Sequence, residues 1–310
     1  MNLKFFGMKS ILSKLLLWAS TCMGLCALVI GGVGIYSSQK IIDDDSARIM
    51  NLSCAERARE FDALLSRIEQ SVRTLAIYAL ESLDSLERLK ADPDYLNAYT
   101  RQIEPVALNT GRNTEGGMGV YLRFNPDFAP PTSGLFWGKL NSESVFREIP
   151  PTDFSAYSPD DAGRVGWYYK PIERGKATWM EPYYNENINT KLLSYVIPLH
   201  GKGQEPIGII GMDINFDTII AIMDRIDVHP QQRVCLMGSD GICYYSRVSG
   251  MQHEEEGANC ALLPTLGKMH GYSSGNHLIP YSCGGQEYHM AYHTLKNGML
   301  LAISAPILVW

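Results

Sequence analysis

The sequence predicts an α+β fold in three successive parts: an N-terminal transmembrane helix, a long stalk helix and two modules with antiparallel sheets. An uncharged run near the N-terminus, an apolar stripe at helical spacing and two groups of short strands support this prediction. The 310 residues are 45 % hydrophobic, which allows a packed core without metal ions or other cofactors. A net charge of -6 without a basic stripe argues against a nucleic-acid partner.

The membrane prediction depends on the 22 uncharged residues from Leu15 to Tyr36. About 20 apolar residues are enough to cross a bilayer. Lys4, Lys9 and Lys14 precede the run, so the positive-inside rule predicts a cytoplasmic N-terminus. The chain from Ser37 onward is then extracytoplasmic, on a single-pass anchor in the plasma membrane. A cleaved signal peptide is the alternative, but its apolar region usually has only about 7–15 residues.

The stretch from Gln39 to Lys90 has the pattern of a long helix. Its apolar residues recur in steps of four and three, which places them on one helical face. These residues are Phe61, Leu65, Ile68, Val72, Leu75 and Ala79. The stripe predicts a homodimer through the stalk helix, and the alternative is packing against the helix's own domain. Asp92 and Pro93 should end the helix, and a second helix is expected from Asp94 to about Leu108.

After a predicted loop from Asn109 to Gly119, short strands and turns replace the helical pattern. Leu192–Leu199 and Ile207–Ile214 should pair as a hairpin, with a helix after them from Phe216 to Ile226. A smaller group of strands follows between Arg233 and Ser304. These patterns predict the following division: 1–14 cytoplasmic, 15–36 transmembrane, 37–108 long helix and second helix, 109–227 membrane-distal module and 228–310 membrane-proximal module.

Four segments of the distal module carry a family resemblance. They are Gly166–Pro171, Trp179–Asn185, Ser194–Pro198 and Gly208–Ile214. In this order they resemble the double Cache sensor domains of chemoreceptors, sensor histidine kinases and membrane diguanylate cyclases. The likeness extends over roughly residues 39–304 and implies two PAS-like Cache modules, with a ligand pocket in the distal one.

The resemblance also implies roles for single residues. It places Trp167 and Tyr168 on the pocket wall and Tyr183 or Tyr184 on the facing loop. Asp213 would lie at the pocket floor, where family members often hold a ligand amino group.

One position departs from the amino-acid-binding version of the family, which carries arginine two residues before the tryptophan. Val165 stands there, and Arg164 is displaced by one residue. This departure disfavours recognition of an α-amino acid.

Residue chemistry leaves two ligand classes open. Aromatic rings with Glu181 and Asp213 suit a cation, through cation–π contacts and charge-assisted hydrogen bonds. Arg164 or Lys170 could instead pair with an acidic ligand. Some of these aromatic side chains, Trp167 among them, could simply be core residues.

Enzymatic patterns are weak, and we expect no catalytic residues and no metal site. Gly271–Gly275 fits G-x-S-x-G, but a polar segment precedes it where a nucleophile elbow needs a strand. His253 and Glu254 lack the second histidine of a metalloprotease motif. Four cysteines cluster in the C-terminal third, where disulfides or free thiols are both compatible with the sequence. They are Cys235, Cys243, Cys260 and Cys283.

These observations predict a membrane-anchored extracytoplasmic sensor that binds a small molecule, amine or amino-acid-like, for signal transduction or chemotaxis. The alternatives are a protein-binding or adhesive ectodomain and an anchored enzyme. No kinase, cyclase or methyl-accepting segment is recognisable. We therefore expect a chain without its output domain or one that signals through a separate partner.

Overall fold

A computed structural model describes residues 11–140, 145–186, 188–226, 232–239, 242–248, 278–283 and 285–307. It confirms the predicted α+β class, with an N-terminal apolar helix continuous with a long helix and two antiparallel sheets. The first helix, α1, runs from Ile11 to Glu81 over 71 residues. Its part from Ile11 to Ser38 is exposed, and it is long and apolar enough to cross a membrane.

The long helix ends at Glu81, so the predicted end near Lys90 was wrong. The reason is a local cap: the Ser85 side chain accepts a hydrogen bond from the Arg88 amide and starts a new short helix, α2 (Leu86–Ala91). Helix α3 (Pro93–Asn113) follows directly, because Asp92 caps its first turn.

The loop predicted from Asn109 to Gly119 was also wrong over its first half, because α3 continues to Asn113. Gly111 permits this continuation. A Cβ atom added there would lie 2.9 Å from Cγ1 of Val120 and 3.0 Å from the ring of Phe146. Glycine, which is unfavourable within a helix by itself, is needed here for close packing between the helix and the sheet.

The first sheet has seven antiparallel strands in the spatial order β3-β2-β1-β7-β6-β4, and β5 also pairs with β6. Its strands are β1 (Gly117–Phe124), β2 (Gly134–Gly138), β3 (Arg147–Glu148), β4 (Thr178–Trp179), β5 (Tyr183–Asn185), β6 (Thr190–His200) and β7 (Pro206–Asn215). The predicted hairpin corresponds to β6 and β7 and is confirmed. Helix α4 (Gly166–Arg174) precedes β4.

Helix α5 (Phe216–Asp224) leads from the first sheet to the second. The second sheet has five antiparallel strands in the order β10-β11-β12-β8-β9. Its strands are β8 (Arg233–Met237), β9 (Cys243–Val248), β10 (Ile279–Cys283), β11 (Gln286–Thr294) and β12 (Leu300–Pro306). Cys235 and Cys243 are buried in this sheet. Cys260 and the side chain of Cys283, the other two cysteines of the cluster, lie outside the described residues.

Helix α1 supplies the core that both sheets share. All six residues of the predicted apolar stripe are buried, and they belong to one hydrophobic cluster with side chains of both sheets. The helix contacts β6 and β7 of the first sheet and β11 and β12 of the second. The stripe therefore packs against the helix's own modules, as in the alternative interpretation of the sequence.

The first sheet has two different faces because side chains alternate along each strand. Val120 and Leu122 of β1 face the helices and join the shared core. Tyr121, between them, belongs to a second cluster on the opposite face, together with Trp167 and Phe136. This opposite face, turned away from α1, is covered by α4 and the loops before it.

We predict that Ile68→Ala destabilises the full-length chain in detergent by about 2–5 kcal/mol, because it leaves a cavity in the shared core. Ile68 is fully buried, whereas Ile77 on the same helix is 57 % exposed. Ile77→Ala is the matched control and should change the unfolding free energy by less than about 0.5 kcal/mol. Denaturant unfolding measures both variants, and equal effects would contradict a core role for the stripe.

Candidate ligand-binding site

The candidate site is a cavity over the face of the first sheet that is turned away from α1. The empty space within it, including its opening to solvent, is about 270 Å³. Its lining is formed by Tyr121, Arg123, Phe136, Thr152, Trp167, Tyr183, Asn185 and Asp213. A second, outer space of about 320 Å³ shares four of these residues, so the two form one cleft that deepens toward the sheet.

The floor of the cavity comes from β1 and β7, which pair with Gly119 opposite Asp213 and Tyr121 opposite Gly211. Each glycine leaves room for the side chain beside it. A Cβ atom on Gly119 would lie 2.8 Å from Oδ2 of Asp213, and one on Gly211 would lie 2.5 Å from the Tyr121 ring. The missing side chains therefore shape the floor and set the position of the Asp213 carboxyl group.

Asp213 forms the acidic end of the cavity and is 1 % exposed. Its Oδ1 accepts a hydrogen bond from the Ser194 hydroxyl at 2.6 Å, and Ser194 lies 3.1 Å from the Tyr183 hydroxyl. The Tyr121 hydroxyl is buried, and among the described residues it has no hydrogen-bond partner. A buried unpartnered hydroxyl group is unusual, and a ligand or water in the cavity would satisfy it.

Burial raises the pKa of Asp213 from its ordinary value to about 7, and the hydrogen bond from Ser194 and the nearby Tyr121 hydroxyl limit the rise. Near neutral pH the carboxyl group is therefore divided between its protonated and ionised forms. Burial also raises the pKa values of Tyr121 and Tyr183, so both hydroxyl groups stay protonated and can donate hydrogen bonds.

Arg123 forms the basic end of the cavity and is also 1 % exposed. Its guanidinium group donates hydrogen bonds to the carbonyl groups of Ser133, Pro131 and Thr152, at 3.1, 2.7 and 2.7 Å. It also lies 4.3 Å from the centre of the Phe154 ring. Burial lowers the pKa of Arg123 to about 10, which leaves the group cationic at neutral pH.

An aromatic wall closes the cavity opposite the floor. The ring of Trp167 packs edge-on against Tyr121, with ring centres 5.4 Å apart, and Phe136 meets Tyr121 at 6.0 Å. The Trp167 indole donates a hydrogen bond to the Arg164 carbonyl at 2.9 Å, which fixes the ring as the first turn of α4 forms. Trp167 borders both the inner cavity and the outer space.

The structure brings some of the sequence-predicted residues together. Trp167, Tyr183 and Asp213 line the inner cavity, while Arg164 and Tyr184 border only the outer space. Arg164 pairs there with Glu186, and the Tyr184 hydroxyl bonds to Asn189.

Tyr168 and Glu181 are not among the residues that line the inner cavity or the outer space. The ring of Tyr168 turns toward Phe154, 4.6 Å away, because consecutive helical residues face different directions. Glu181 points to the second sheet, where it accepts hydrogen bonds from Ser239 at 3.2 Å and Tyr244 at 3.5 Å.

Sequence reasoning missed Tyr121 and Arg123 as cavity residues, together with Phe136 and Thr152. A signal was available for the first two. The strand Gly117–Phe124 alternates, so Gly119, Tyr121 and Arg123 must share one face. An arginine on the tyrosine-bearing face of a strand buried on both sides points to a built polar site.

The weak enzymatic patterns at Gly271–Gly275 and at His253–Glu254 lie outside the described residues. Within the described ranges, no group of three or more histidine, cysteine, aspartate or glutamate side chains is arranged to hold a metal ion.

The two sheets behind one long helix have the fold of the double Cache sensor domains, and comparisons with known proteins confirm this resemblance. Residues 107–221 match the first PDC sensor domain of methyl-accepting chemotaxis protein-like receptors. This match covers β1 to β7, including every residue that lines the cavity.

Two curated relatives are chemotaxis receptors of Pseudomonas aeruginosa. Methyl-accepting chemotaxis protein PctB is 28 % identical over 188 residues, which cover 55 % of this chain and 29 % of the receptor. Methyl-accepting chemotaxis protein TlpQ is 29 % identical over 264 residues, covering 71 % and 35 % respectively. The chain thus spans about a third of the length of these relatives.

Two solved structures from Campylobacter jejuni share the fold. The periplasmic sensory domain of the chemoreceptor Tlp1 superposes with a TM-score of 0.62 at 14 % identity, covering 86 % of this chain and 96 % of Tlp1. The ligand-binding domain of Tlp3, in complex with 4-methylisoleucine, has a TM-score of 0.53 at 12 % identity, covering 84 % and 91 %.

We predict that Asp213→Asn stabilises the ligand-free protein at pH 8. The pKa of Asp213 is higher in the folded chain than in the unfolded chain. Its contribution to stability is therefore full below about pH 4 and is lost as the pH rises through 7. Asparagine removes this cost of ionisation, on the order of 2–4 kcal/mol at pH 8, and the gain should vanish at pH 4.

Denaturant unfolding of the full-length chain at pH 4, 6 and 8 measures this difference. Asp160→Asn, in an exposed turn, is the matched control and should show no pH-dependent gain. A variant at position 213 that is equally stable or less stable than the wild type at pH 8 would contradict a costly buried carboxylate.

Proposed function

We propose that this chain is an extracytoplasmic sensor that binds a small cationic molecule, an amine or amino-acid-like compound, in the cavity over the first sheet. The observation that carries the proposal is the buried Asp213 carboxyl group beside the unpartnered hydroxyl of Tyr121. The family match supports a role in signal transduction or chemotaxis.

A ligand ammonium group would complete the acidic end of the cavity. It would pair with the ionised Asp213 carboxylate and offset the cost of burying that charge. The rings of Trp167, Tyr121 and Tyr183 would surround the cation, where their π faces are attractive to positive charge.

Two solved structures lend support to this class of ligand. The ligand-binding domain of Tlp3 from Campylobacter jejuni was solved in complex with 4-methylisoleucine and with L-valine, which are both amino acids with an ammonium group. Recognition of a cationic head group by Asp213 is compatible with these ligands and also with simple amines.

The proposal places the sensor on the plasma membrane as a single-pass protein, with residues 1–14 in the cytoplasm and both sheets outside. The apolar helix Ile11–Ser38 and the preceding lysines support this orientation. We also propose a homodimer through α1. Its support is a set of apolar side chains that α1 leaves exposed beyond the membrane segment. They are Ile41, Ile49 and Leu52, on the membrane-proximal part of α1.

The signal would leave the cavity through five consecutive residues, Trp179 to Tyr183, whose alternate side chains have different partners. Tyr183 lines the cavity. Glu181 accepts hydrogen bonds from Ser239 and Tyr244 of the second sheet. The Trp179 indole donates a 2.9 Å hydrogen bond to Oε1 of Glu69 on α1. A movement of Tyr183 would therefore reach both the second sheet and the long helix.

Glu69 joins these routes because each of its carboxylate oxygens has its own partner. Oε1 accepts from Trp179 of the first sheet, and Oε2 accepts from the Lys296 ammonium group at 3.0 Å. Lys296 lies in the turn between β11 and β12, and its amide also donates to Asp62 of α1 at 2.8 Å. Ligand binding would shift the population of arrangements that this junction adopts.

Three five-carbon probes test the ligand class by calorimetry on the full-length chain in detergent: pentylamine, norvaline and pentanoate. We predict that at least one probe with an ammonium group binds, that pentanoate binds at least tenfold more weakly than that probe, and that Asp213→Asn weakens binding of the ammonium probe at least tenfold. Below pH 7 the amine must displace a proton from Asp213, so its Kd should rise about tenfold per pH unit.

If the Kd of pentylamine does not depend on pH between 5 and 7, Asp213 is not the partner of the ammonium group. Binding of pentanoate as tight as that of pentylamine would contradict a cationic ligand. A well-folded chain that binds none of the probes would favour the alternative, a protein-binding or adhesive ectodomain.

We predict that Glu69→Gln weakens the response of the second sheet to ligand binding in the cavity. The ligand affinity itself should change by no more than about threefold. Glutamine has the same shape, but its amide nitrogen cannot accept the hydrogen bond that one of the two donors offers. Hydrogen exchange at residues 295–298 should respond to a saturating probe in the wild type and should respond much less in the variant. Glu60→Gln, on the exposed side of α1, is the matched control. An unchanged response in Glu69→Gln would exclude this junction as the route.

A further inference from the structure

The cavity holds two opposite charges at separate places on one face of the sheet. Asp213 lies opposite Gly119 in the pairing of β1 and β7, and Arg123 is four residues further along β1. Because a strand advances about 3.3 Å per residue, the two side chains leave the sheet roughly 13 Å apart. Tyr121 stands on the same face between them, and all three side chains line the cavity.

The Arg123 guanidinium group is fixed in position by hydrogen bonds, but these bonds do not neutralise its charge. The three hydrogen bonds of the guanidinium group go to uncharged carbonyl oxygens through Nε and Nη2. Among the described residues, Nη1 has no hydrogen-bond partner and Arg123 forms no ion pair. The acidic groups that act on Arg123 electrostatically are Tyr168 and, after it, the exposed Asp153.

A buried cation without an anionic partner is costly, and it is retained mostly where an anion completes the site. The three carbonyl groups hold the planar guanidinium group in one orientation, which leaves its remaining N–H groups for a carboxylate. Asp213 is too far away to serve as that partner. The anion must therefore come from the ligand.

We infer that the cavity takes a dipolar ligand whose ammonium group pairs with Asp213 and whose carboxylate pairs with Arg123, the two groups being separated by a chain of several carbons. This inference rests on the proposed function and names the substrate class of the same site. Because the two side chains leave the sheet roughly 13 Å apart, the ligand's charged groups must lie several ångströms from each other. An α-amino acid carries both groups on one carbon and does not span this distance.

Arg164 is the competing partner for a carboxylate, and its surroundings argue against that role. It borders the outer space rather than the inner cavity, its side chain is 43 % exposed, and it already pairs with Glu186. An exposed and paired arginine gives little net binding energy to a second anion. It therefore provides a matched control for Arg123.

The test compares three ligands on the full-length chain: 5-aminopentanoate, its isomer norvaline, and pentylamine, which lacks the carboxylate. Calorimetry should give 5-aminopentanoate a Kd at least tenfold below those of the other two. In Arg123→Met, which keeps an unbranched apolar stem, 5-aminopentanoate and pentylamine should bind equally. In Arg164→Gln the tenfold difference should remain.

If Arg123→Met does not fold, Arg123→Lys provides the same comparison, with the preference for 5-aminopentanoate reduced severalfold because lysine lacks the planar fork. Equal binding of pentylamine and 5-aminopentanoate by the wild type would make Arg123 purely structural and overturn the inference. Tighter binding of norvaline than of 5-aminopentanoate would also overturn the inference. The same holds if Arg164→Gln, but not Arg123→Met, loses the preference for 5-aminopentanoate over pentylamine. In all three cases binding that depends on Asp213 would preserve the proposed function, whereas binding of none of the ligands would overturn both.

Discussion

The packing of one continuous apolar stripe on α1 against two sheets is the constraint on which the rest of the structure depends. The stripe belongs to the same hydrophobic cluster as side chains of both sheets. Because this packing occupies the inner face of the first sheet, only its outer face is left for a cavity. It also keeps Glu69 within reach of Trp179 and Lys296, one from each module. Core, site and junction are thus consequences of one helix.

The cavity follows from the strict alternation of β1 and β7. One set of side chains packs in the shared core, and it includes Val120, Leu122 and Met212. The other set supplies Tyr121, Arg123 and Asp213 to the cavity. A sheet buried on both faces can carry charged groups only where carbonyl groups, hydroxyl groups or a ligand compensate them. Arg123 has the carbonyl groups, Asp213 has Ser194, and both keep capacity for a ligand.

The fold was largely predictable because the spacing of apolar residues along the sequence indicates most of its helices and strands. The α1 stripe repeats in steps of four and three, and the β6–β7 hairpin has a polar turn between two apolar runs. The misplaced helix ends depended on a side-chain cap at Ser85 and on a tertiary contact at Gly111, which periodicity does not contain. The cavity was only partly predictable. Trp167, Tyr183 and Asp213 came from the family resemblance, whereas Arg123 became visible through its partners Pro131 and Thr152, which the chain brings together only on folding.

The close approach of Gly119 and Asp213 ties the evolution of these two positions together. The volume that a side chain at position 119 would fill is already occupied by the Asp213 carboxyl group. A lineage that changes its ligand must therefore shorten residue 213 before it can enlarge residue 119, and the reverse order passes through a form that cannot pack. Loss of the aspartate at position 213 should therefore be easy. Its return should be hard once position 119 has gained a side chain.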